Sequence, residues 1–511
     1  MPGPEPDTDD LTTVQYRIFY PCEESAKDKP IYWLPRPQRE YVSAYIRFTG
    51  ANSILAQVIG FFPNILNFIT IPVRKNAPLA KATTPDNRWP VMIFSHGLGG
   101  MRNTYSHLAG SIASHGVIVI CPEHRDGSAP VTIVRDTVSG SPNSEKEGSK
   151  PTKSRRIIDY HRFPHTPSPE VEAGRNGQLK IRLWELGLIH DSLLKIDKGE
   201  EITNLNSSSS SLSVFQNQMN VHEPGKIIFA GHSFGAATMT QLVKSTFYSN
   251  QISEAPEGFE TLFTPSSRSS IVKQITPQTP VVLLDVWCMP LRAESTSWLW
   301  EKPLPCYAPG GPGGSALLCV ESQAFYKWKV NLKSTKKLLS PDPTANSFDY
   351  AAKGISQPNL YYATASAHLS QSDFGLLFPY VTKRFLAVQE PERVMRLNVR
   401  AVMQLLRSNG VPVAATSAAD MEIGGDEHES VTTDDHLIFN RKTDVRAWKW
   451  LTTQVDGSPD MIDEGLPPEL ESAQIAEAPI ADQLSTPLDD KDAEISDPVE
   501  AVVSNEVKVG A

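Results

Sequence analysis

The chain has 511 residues, a formal net charge of −10 and 41 prolines. That length allows two or three domains or one enlarged α/β domain with a tail, and the ordinary apolar fraction allows a large core. The sequence has no basic stripe interleaved with aromatics, which argues against a nucleic-acid partner, and the five widely spaced cysteines form no CxxC, which argues against a disulfide framework or zinc site.

In chain order, the first segment is Met1-Pro2-Gly3-Pro4-Glu5-Pro6-Asp7. It is acidic and Pro-rich with no apolar core, so residues 1–11 read as disordered and not as a secretory signal. The expected setting is therefore reduced and cytoplasmic, with Cys121 and Cys288 as buried thiols in apolar runs. Thr13 to Tyr20 reads as a strand ended by Pro21. Residues 53–73 carry no charge until Arg74 and are rich in Ile, Leu and Phe. Gln57, Asn64 and Asn67 are costly in a membrane span, and Gly60 and Pro63 would break one. A lipid-touching surface segment near 54–71 is the better expectation.

Trp89 to Phe94 reads as a buried strand, Asn103 to His115 as a helix and Gly116 to Ile120 as the next strand, which together suggest a parallel crossover. Residues 137–178 are polar and rich in Pro, Ser and Lys, as an inserted loop would be. Ile181 to Ile196 has helical apolar spacing, and Ser207 to Ser211 is a polyserine linker. Lys226 to Ala230 is an apolar strand followed by a helix over Phe234 to Lys244. Val281 to Val286, Leu317 to Val320 and Asn359 to Ala363 read as further strands, and Val394 to Leu406 as a late helix. Residues 12–411 would thus form one catalytic domain. From 412 the chain turns acidic and Pro-rich, with one isolated helix expected over 437–451 and disorder beyond 456.

Gly231-His232-Ser233-Phe234-Gly235 lies between the apolar strand and its helix. As bare text, GxSxG arises by chance in roughly one in five to ten chains of this length. Its context supplies the mechanism. A strand-to-helix turn this tight strains the Ser backbone, needs glycine on both sides, and offers helix N-terminal amides to an oxyanion. Ser233 is therefore the candidate nucleophile. His368, after the last expected strand, is the candidate base. Asp285, ending the run from Val281, is the candidate acid, because a carboxylate in so apolar a run needs a partner. Asp373 is the second candidate acid, but it lies close to His368 in sequence and is expected to serve locally. Ser95-His96-Gly97-Leu98-Gly99-Gly100 follows a strand, and its glycines let backbone amides point inward. The N–H groups of Leu98 and Phe234 are the expected oxyanion donors. A phosphate-binding loop is the competing reading of these glycines, but the Lys-Ser/Thr of a P-loop is missing. No cofactor or metal is expected, since no HExxH, EF-hand loop or His/Asp ligand cluster occurs.

With these residues assembled, the chain resembles the platelet-activating-factor acetylhydrolases of the plasma and intracellular type II kind, also called group VII phospholipases A2. The resemblance runs from about Arg17 to Asn409. It rests on Tyr20-Pro21, Phe94 to Gly99, Ala113 to Gly116, Glu123-His124-Arg125-Asp126, Ile196-Asp197, Gly231 to Gly235, Leu284-Asp285 with Trp287 and Pro290-Leu291, and Ser366-x-His368 before Asp373-Phe374. It implies an α/β-hydrolase fold, with a mostly parallel sheet and helices on both faces. It also implies a calcium-independent esterase acting at the sn-2 position of glycerophospholipids with short or oxidised acyl chains, such as platelet-activating factor. The triad it implies is Ser233, Asp285 and His368, with Leu98 and Phe234 as oxyanion donors, and the segment at 54–71 at a lipid-facing mouth. Relative to that family, Ala236 replaces a glycine, 137–178 and 292–314 are extra, and the acidic tail has no counterpart. A carboxylesterase for non-phospholipid esters would use the same residues. A catalytically inactive fold serving as an interaction module is the reading from another class, and intact Ser233, Asp285 and His368 argue against it.

Overall fold

The computed structural model describes residues 13–24, 30–50, 56–57, 60, 65–137, 153–206, 211–386, 389–416, 437–441, 444–461 and 505–508. Strands β1 (Thr13–Phe19) and β2 (Pro30–Tyr32) lead to helix α1 (Gln38–Phe48), followed by β3 (Thr70–Arg74) and β4 (Val91–Ser95). Helix α2 (Ser106–Ser114), β5 (Ile118–Pro122), the pair β6 (Val131–Thr137) and β7 (Lys153–Asp159), and the long α3 (Pro169–Lys198) come next. Then follow β8 (Thr203–Asn204), β9 (Ile227–His232), α4 (Phe234–Phe247), β10 (Val281–Leu284), β11 (Leu317–Ser322) and α5 (Lys329–Leu338). The last described elements used below are β12 (Asn359–Ala363), α6 (Pro391–Ser408), β13 (Trp448–Trp450) and β14 (Asn505–Lys508).

One sheet of ten strands organises the molecule, in the order β13-β12-β11-β10-β9-β4-β5-β1-β14-β8. The six strands from β12 to β5 pair in parallel, and β1, β13 and β14 join antiparallel. The parallel strands are continuous apolar runs because both faces are covered. Val91 and Ile93 of β4 enter one core with Leu183, Leu186 and Met239, while Met92 and Phe94 enter the other with Leu108, Ile112 and Val402. This is the α/β-hydrolase fold. Leu98 follows β4, Ser233 follows β9, Asp285 follows β10 and His368 follows β12, so all lie beyond the carboxyl ends of parallel strands, where such sheets bind ligands.

Several expectations are revised. The polar stretch at 137–178 is not one loop. Its described part contributes β7, which pairs with β6 from Val131↔Asp159 to Thr137↔Lys153, and the first ten residues of α3. Ser168 caps that helix by accepting from Val171 N–H, and Pro169 occupies its first turn. Segment 292–314 forms short helical turns that pack on α4, where Lys244 Nζ donates to the carbonyls of Leu299 and Trp300. The helix expected over 437–451 is absent from the described residues of that stretch. Trp448 to Trp450 instead pair with β12, because alternation about Lys449 suits an edge strand. The sheet therefore draws on residues beyond 411. Residues 457–461 are ordered as a turn, and Asn505–Lys508 pair with β1, against the expectation of disorder beyond 456. The expected disorder at 1–11, the polyserine run at 207–210 and most of the tail lie outside the described residues.

Candidate active site

Ser233 stands between β9 and α4 at φ 57° and ψ −120°. This is a region that side-chain-bearing residues avoid, and the surrounding bonds enforce it. The Ser233 N–H donates to Leu284 O at 2.9 Å, while its carbonyl accepts from Ala237 N–H at 3.1 Å. Glycine is required on both flanks. A Cβ on Gly231 would lie 2.5 Å from the Gly235 carbonyl carbon, and a Cβ on Gly235 would lie 2.0 Å from Ser95 O. The second contact lets α4 start directly against the end of β4, beside the Gly97–Gly100 loop.

That loop separates its amides by use. Gly97 N–H donates to Tyr105 Oη, Gly99 N–H to Ser128 O and Gly100 N–H to Gly97 O. Leu98 N–H has no acceptor among the described residues, and neither has Phe234 N–H at the first position of α4. These two free amides are the pair expected as oxyanion donors.

On the other side, Asp285 leaves β10 at φ 43° and is fully buried. Its Oδ2 lies 2.8 Å from His368 Nδ1, and its Oδ1 accepts from Ser322 N–H. The His368 ring is sandwiched between Phe325, centroids 4.4 Å apart, and His232, centroids 4.3 Å apart. Its orientation is thus held by stacking as well as by the carboxylate. With Nδ1 committed to Asp285, Nε2 is the nitrogen left to accept a proton. The structure therefore brings Ser233, Asp285 and His368 into one site. The Ser233 hydroxyl itself has no hydrogen-bond partner among the described residues, as is common in unliganded sites.

Asp373 has another place. Its carboxylate accepts from Trp33 Nε1 and Ser106 N–H at 3.0 Å each, from Ser106 Oγ and from His107 N–H. It caps the start of α2 and ties that helix to Trp33. Burial pushes its carboxyl up to about 6 against the pull of these donors.

Sequence reasoning missed the supports. Arg182 on α3 is fully buried, with Nε 2.6 Å from Asp126 Oδ2 and Nη1 donating to His96 O at 2.8 Å. Its Nη2 donates to Ser128 Oγ, and its guanidinium lies 4.5 Å from the Phe234 ring centroid. One cation thus touches the loop that carries Leu98, the residue that accepts from Gly99 and the side chain of Phe234. Beneath it, His124 joins Ser95 Oγ at 2.9 Å and Glu185 Oε2 at 2.7 Å. Burial pushes His124 well below its usual range and Glu185 up to about 8. Tyr105 Oη bridges Gly97 N–H and His232 Nδ1, linking loop to elbow. A signal existed for Arg182, a charge inside the apolar spacing of Ile181, Leu183 and Leu186.

His232, Asp285 and His368 are also the one group of three candidate metal ligands that converges among the described residues, within 4.8 Å. Of their atoms, His232 Nδ1 meets Tyr105 Oη, Asp285 Oδ1 accepts from Ser322 N–H and Asp285 Oδ2 meets His368 Nδ1, while His232 Nε2 has no hydrogen-bond partner among the described residues. Burial holds His232 well below its usual range, in the neutral state. The apolar stretch at 54–71 lies partly outside the described residues. Within it, Ile65 and Phe68 are largely exposed, and no described helix is long and apolar enough to cross a membrane. A cavity of about 500 Å³ between β1 and β3, lined by Arg17, Tyr20, Cys22 and Arg74, involves none of the five predicted site residues.

Residues 6–426 match the family model for platelet-activating factor acetylhydrolase, isoform II. The chain is 29% identical over 420 residues to a Schizosaccharomyces pombe protein described as "Putative phospholipase A2", covering 78% of this chain and 85% of that one. It is 29% identical over 225 residues to the platelet-activating factor acetylhydrolase of Canis lupus familiaris, covering 44% of this chain and 45% of that one. The corresponding protein of Gallus gallus is 25% identical over 326 residues, 64% of each chain. The matched stretch thus spans about half to two thirds of these two vertebrate relatives. Among solved structures, a ferulic acid esterase from Streptomyces cinnamoneus aligns at a TM-score of 0.35 and 14% identity, over 84% of this chain and 99% of that one, a likeness too weak to bear on function. The chain belongs to the platelet-activating factor acetylhydrolase, isoform II family.

Proposed function

We propose that this protein is a serine esterase that hydrolyses the sn-2 acyl ester of glycerophospholipids with short or oxidised chains, as a 1-alkyl-2-acetylglycerophosphocholine esterase does, without calcium. The observation that carries the chemistry is the convergence of three features. Ser233 sits on a strained elbow, His368 is held by Asp285 at 2.8 Å, and the amides of Leu98 and Phe234 are unused. Family membership and the names of the relatives support the phospholipid substrate.

In this mechanism the substrate carbonyl lies over Ser233, with its oxygen toward Leu98 and Phe234 N–H. His368 Nε2 takes the Ser233 proton as Oγ attacks. Asp285 stabilises the imidazolium, and the two amides together with the N-terminus of α4 stabilise the oxyanion. The imidazolium then protonates the leaving lysophospholipid oxygen. Water, activated by the same nitrogen, releases the acyl group from Ser233. Ile65 and Phe68 support a lipid-facing patch that brings the enzyme to its substrate's surface.

The test is hydrolysis of phosphatidylcholines with sn-2 chains from acetyl to palmitoyl, with a nitrophenyl ester in parallel. Turnover should fall steeply with unoxidised chain length. A flat or long-chain-favouring profile would overturn the short-acyl reading, and turnover of the nitrophenyl ester alone would mark a carboxylesterase. A fluorophosphonate probe should label the wild type but not Ser233→Ala. No labelling of the folded wild type would sink the enzyme itself.

A further inference from the structure

A second buried carboxyl lies beside Asp285. In the parallel pairing of β10 with β11, Leu284 faces Val320, which sets Asp285 next to Glu321. The Asp285 N–H donates to Val320 O at 2.9 Å, and Ser322 N–H donates to Asp285 Oδ1, so the backbone on both sides of Glu321 is tied to Asp285. Glu321 is fully buried. Its Oε1 meets the Cys319 thiol at 3.5 Å, and its Oε2 has no donor among the described residues.

Two neighbouring carboxyls this buried resist being ionised together, so near neutrality one of them keeps a proton. The donors decide which keeps the proton. Asp285 has a backbone N–H and the His368 N–H, both suited to an anion. Glu321 has a thiol and the nearby Thr335 hydroxyl of α5. We propose that Glu321 is a positioning residue that, in its neutral form, donates a hydrogen bond to the Asp285 carboxylate and fixes its aim at His368. The inference rests on the triad reading above. Burial, and after it Asp285, raises Glu321 well above the usual carboxyl range. The other ionisable groups facing it are Cys319 on its own strand and Cys288 after β10, with His368 and His232 across Asp285. Burial raises both thiols, Cys288 to about 12, so they stay neutral while Glu321 titrates. Ionised Glu321 would set a like charge against Asp285 and push it out of line with His368. Activity should then fall on the alkaline side.

The experiment compares wild type, Glu321→Gln and Glu321→Leu in kcat/KM for a short-chain ester from about pH 5 to about pH 10. The amide keeps a donor and cannot ionise. Glu321→Gln should match the wild type within about threefold near neutrality and keep activity on the alkaline limb where the wild type declines. Glu321→Leu should lose about tenfold or more in kcat, with KM little changed, because one buried hydrogen bond is gone. If Gln falls as far as Leu, or if its alkaline limb coincides with that of the wild type, the proposal is overturned. The Gln limb decides the matter even if the Leu variant fails to fold. Fluorophosphonate labelling separates the two levels. Labelled protein with the wrong pH behaviour defeats only the role of Glu321, whereas an unlabelled wild type defeats the triad as well.

Discussion

The two sides of the elbow at Ser233 are held by opposite kinds of charge. On the side of the proposed oxyanion donors the organising group is Arg182, a buried guanidinium paired with Asp126 and aimed at His96 O. On the acid side the groups are carboxyls and imidazoles, Asp285, Glu321, His368 and His232, packed against one another. A fixed cation can hold an amide-bearing loop under all conditions, and that suits a hole that must exist before the substrate arrives. A cluster of carboxyls and imidazoles suits the side that, in the proposed mechanism, would take a proton and return it. The difference implies that the proton transfers of the proposed reaction run on the acid side, while the titratable pair on the other side, His124 and Glu185, acts through the packing beneath the loop.

The variants that test this contrast are expected to rank as follows. Asp285→Asn should cost about 10⁴-fold in kcat, because an amide favours the wrong His368 tautomer. A loss within an order of magnitude would transfer the acid's role elsewhere. Arg182→Met, made with Asp126→Asn so that no buried carboxylate is stranded, should lower kcat about 10²-fold by loosening the Leu98 loop. Its pH profile should keep the wild-type limbs. A shifted limb would show that the cation side also takes part in proton traffic. Asp373→Asn should be the mildest for chemistry, with kcat within about threefold, since that carboxylate touches α2 and Trp33 and not His368. Its effect belongs in stability, about 1–3 kcal/mol by denaturant unfolding, because an amide NH2 would face donors. A large loss of kcat without a loss of stability would contradict the assignment of Asp373 as a helix cap.

Asp285 and Asp373 also show what is legible without a structure. Both precede or follow apolar segments near the end of the domain, and both are buried. Asp285 was the better candidate because it ends a continuous apolar strand, and parallel strands end at the ligand face. The same argument applied to Glu321, which follows Leu317 to Val320, would have found a third buried carboxyl. The strand over Asn359 to Ala363 emerges with the bounds expected for it. The first turns of α3 did not emerge, because that helix buries Arg175, Asn176, Gln178, Arg182, Glu185 and His190. A helix whose hidden face is polar has no apolar period to read. The expected helix at 437–451 failed for a related reason. Ile438, Trp448 and Trp450 suit a helix or an edge strand equally, and only the open edge of β12 selects the strand.

By itself the sequence determined the elements that depend on local rules: the strand–Ser233–helix unit flanked by glycines, the Gly97–Gly100 loop, and the order of Ser233, Asp285 and His368. Their physics is short-ranged, resting on crowding across one turn and on the alternation or spacing of apolar residues. Tertiary structure alone decided the rest. It chose Leu98 among the loop amides by occupying those of Gly97, Gly99 and Gly100. It placed Phe325 and His232 around His368, brought Arg182 under both expected donors, and set Glu321 against Asp285 through strand register. Each of these contacts joins residues distant in the chain or on neighbouring strands. Its energy comes from desolvation, which exists only once the sheet and its two covering layers have closed.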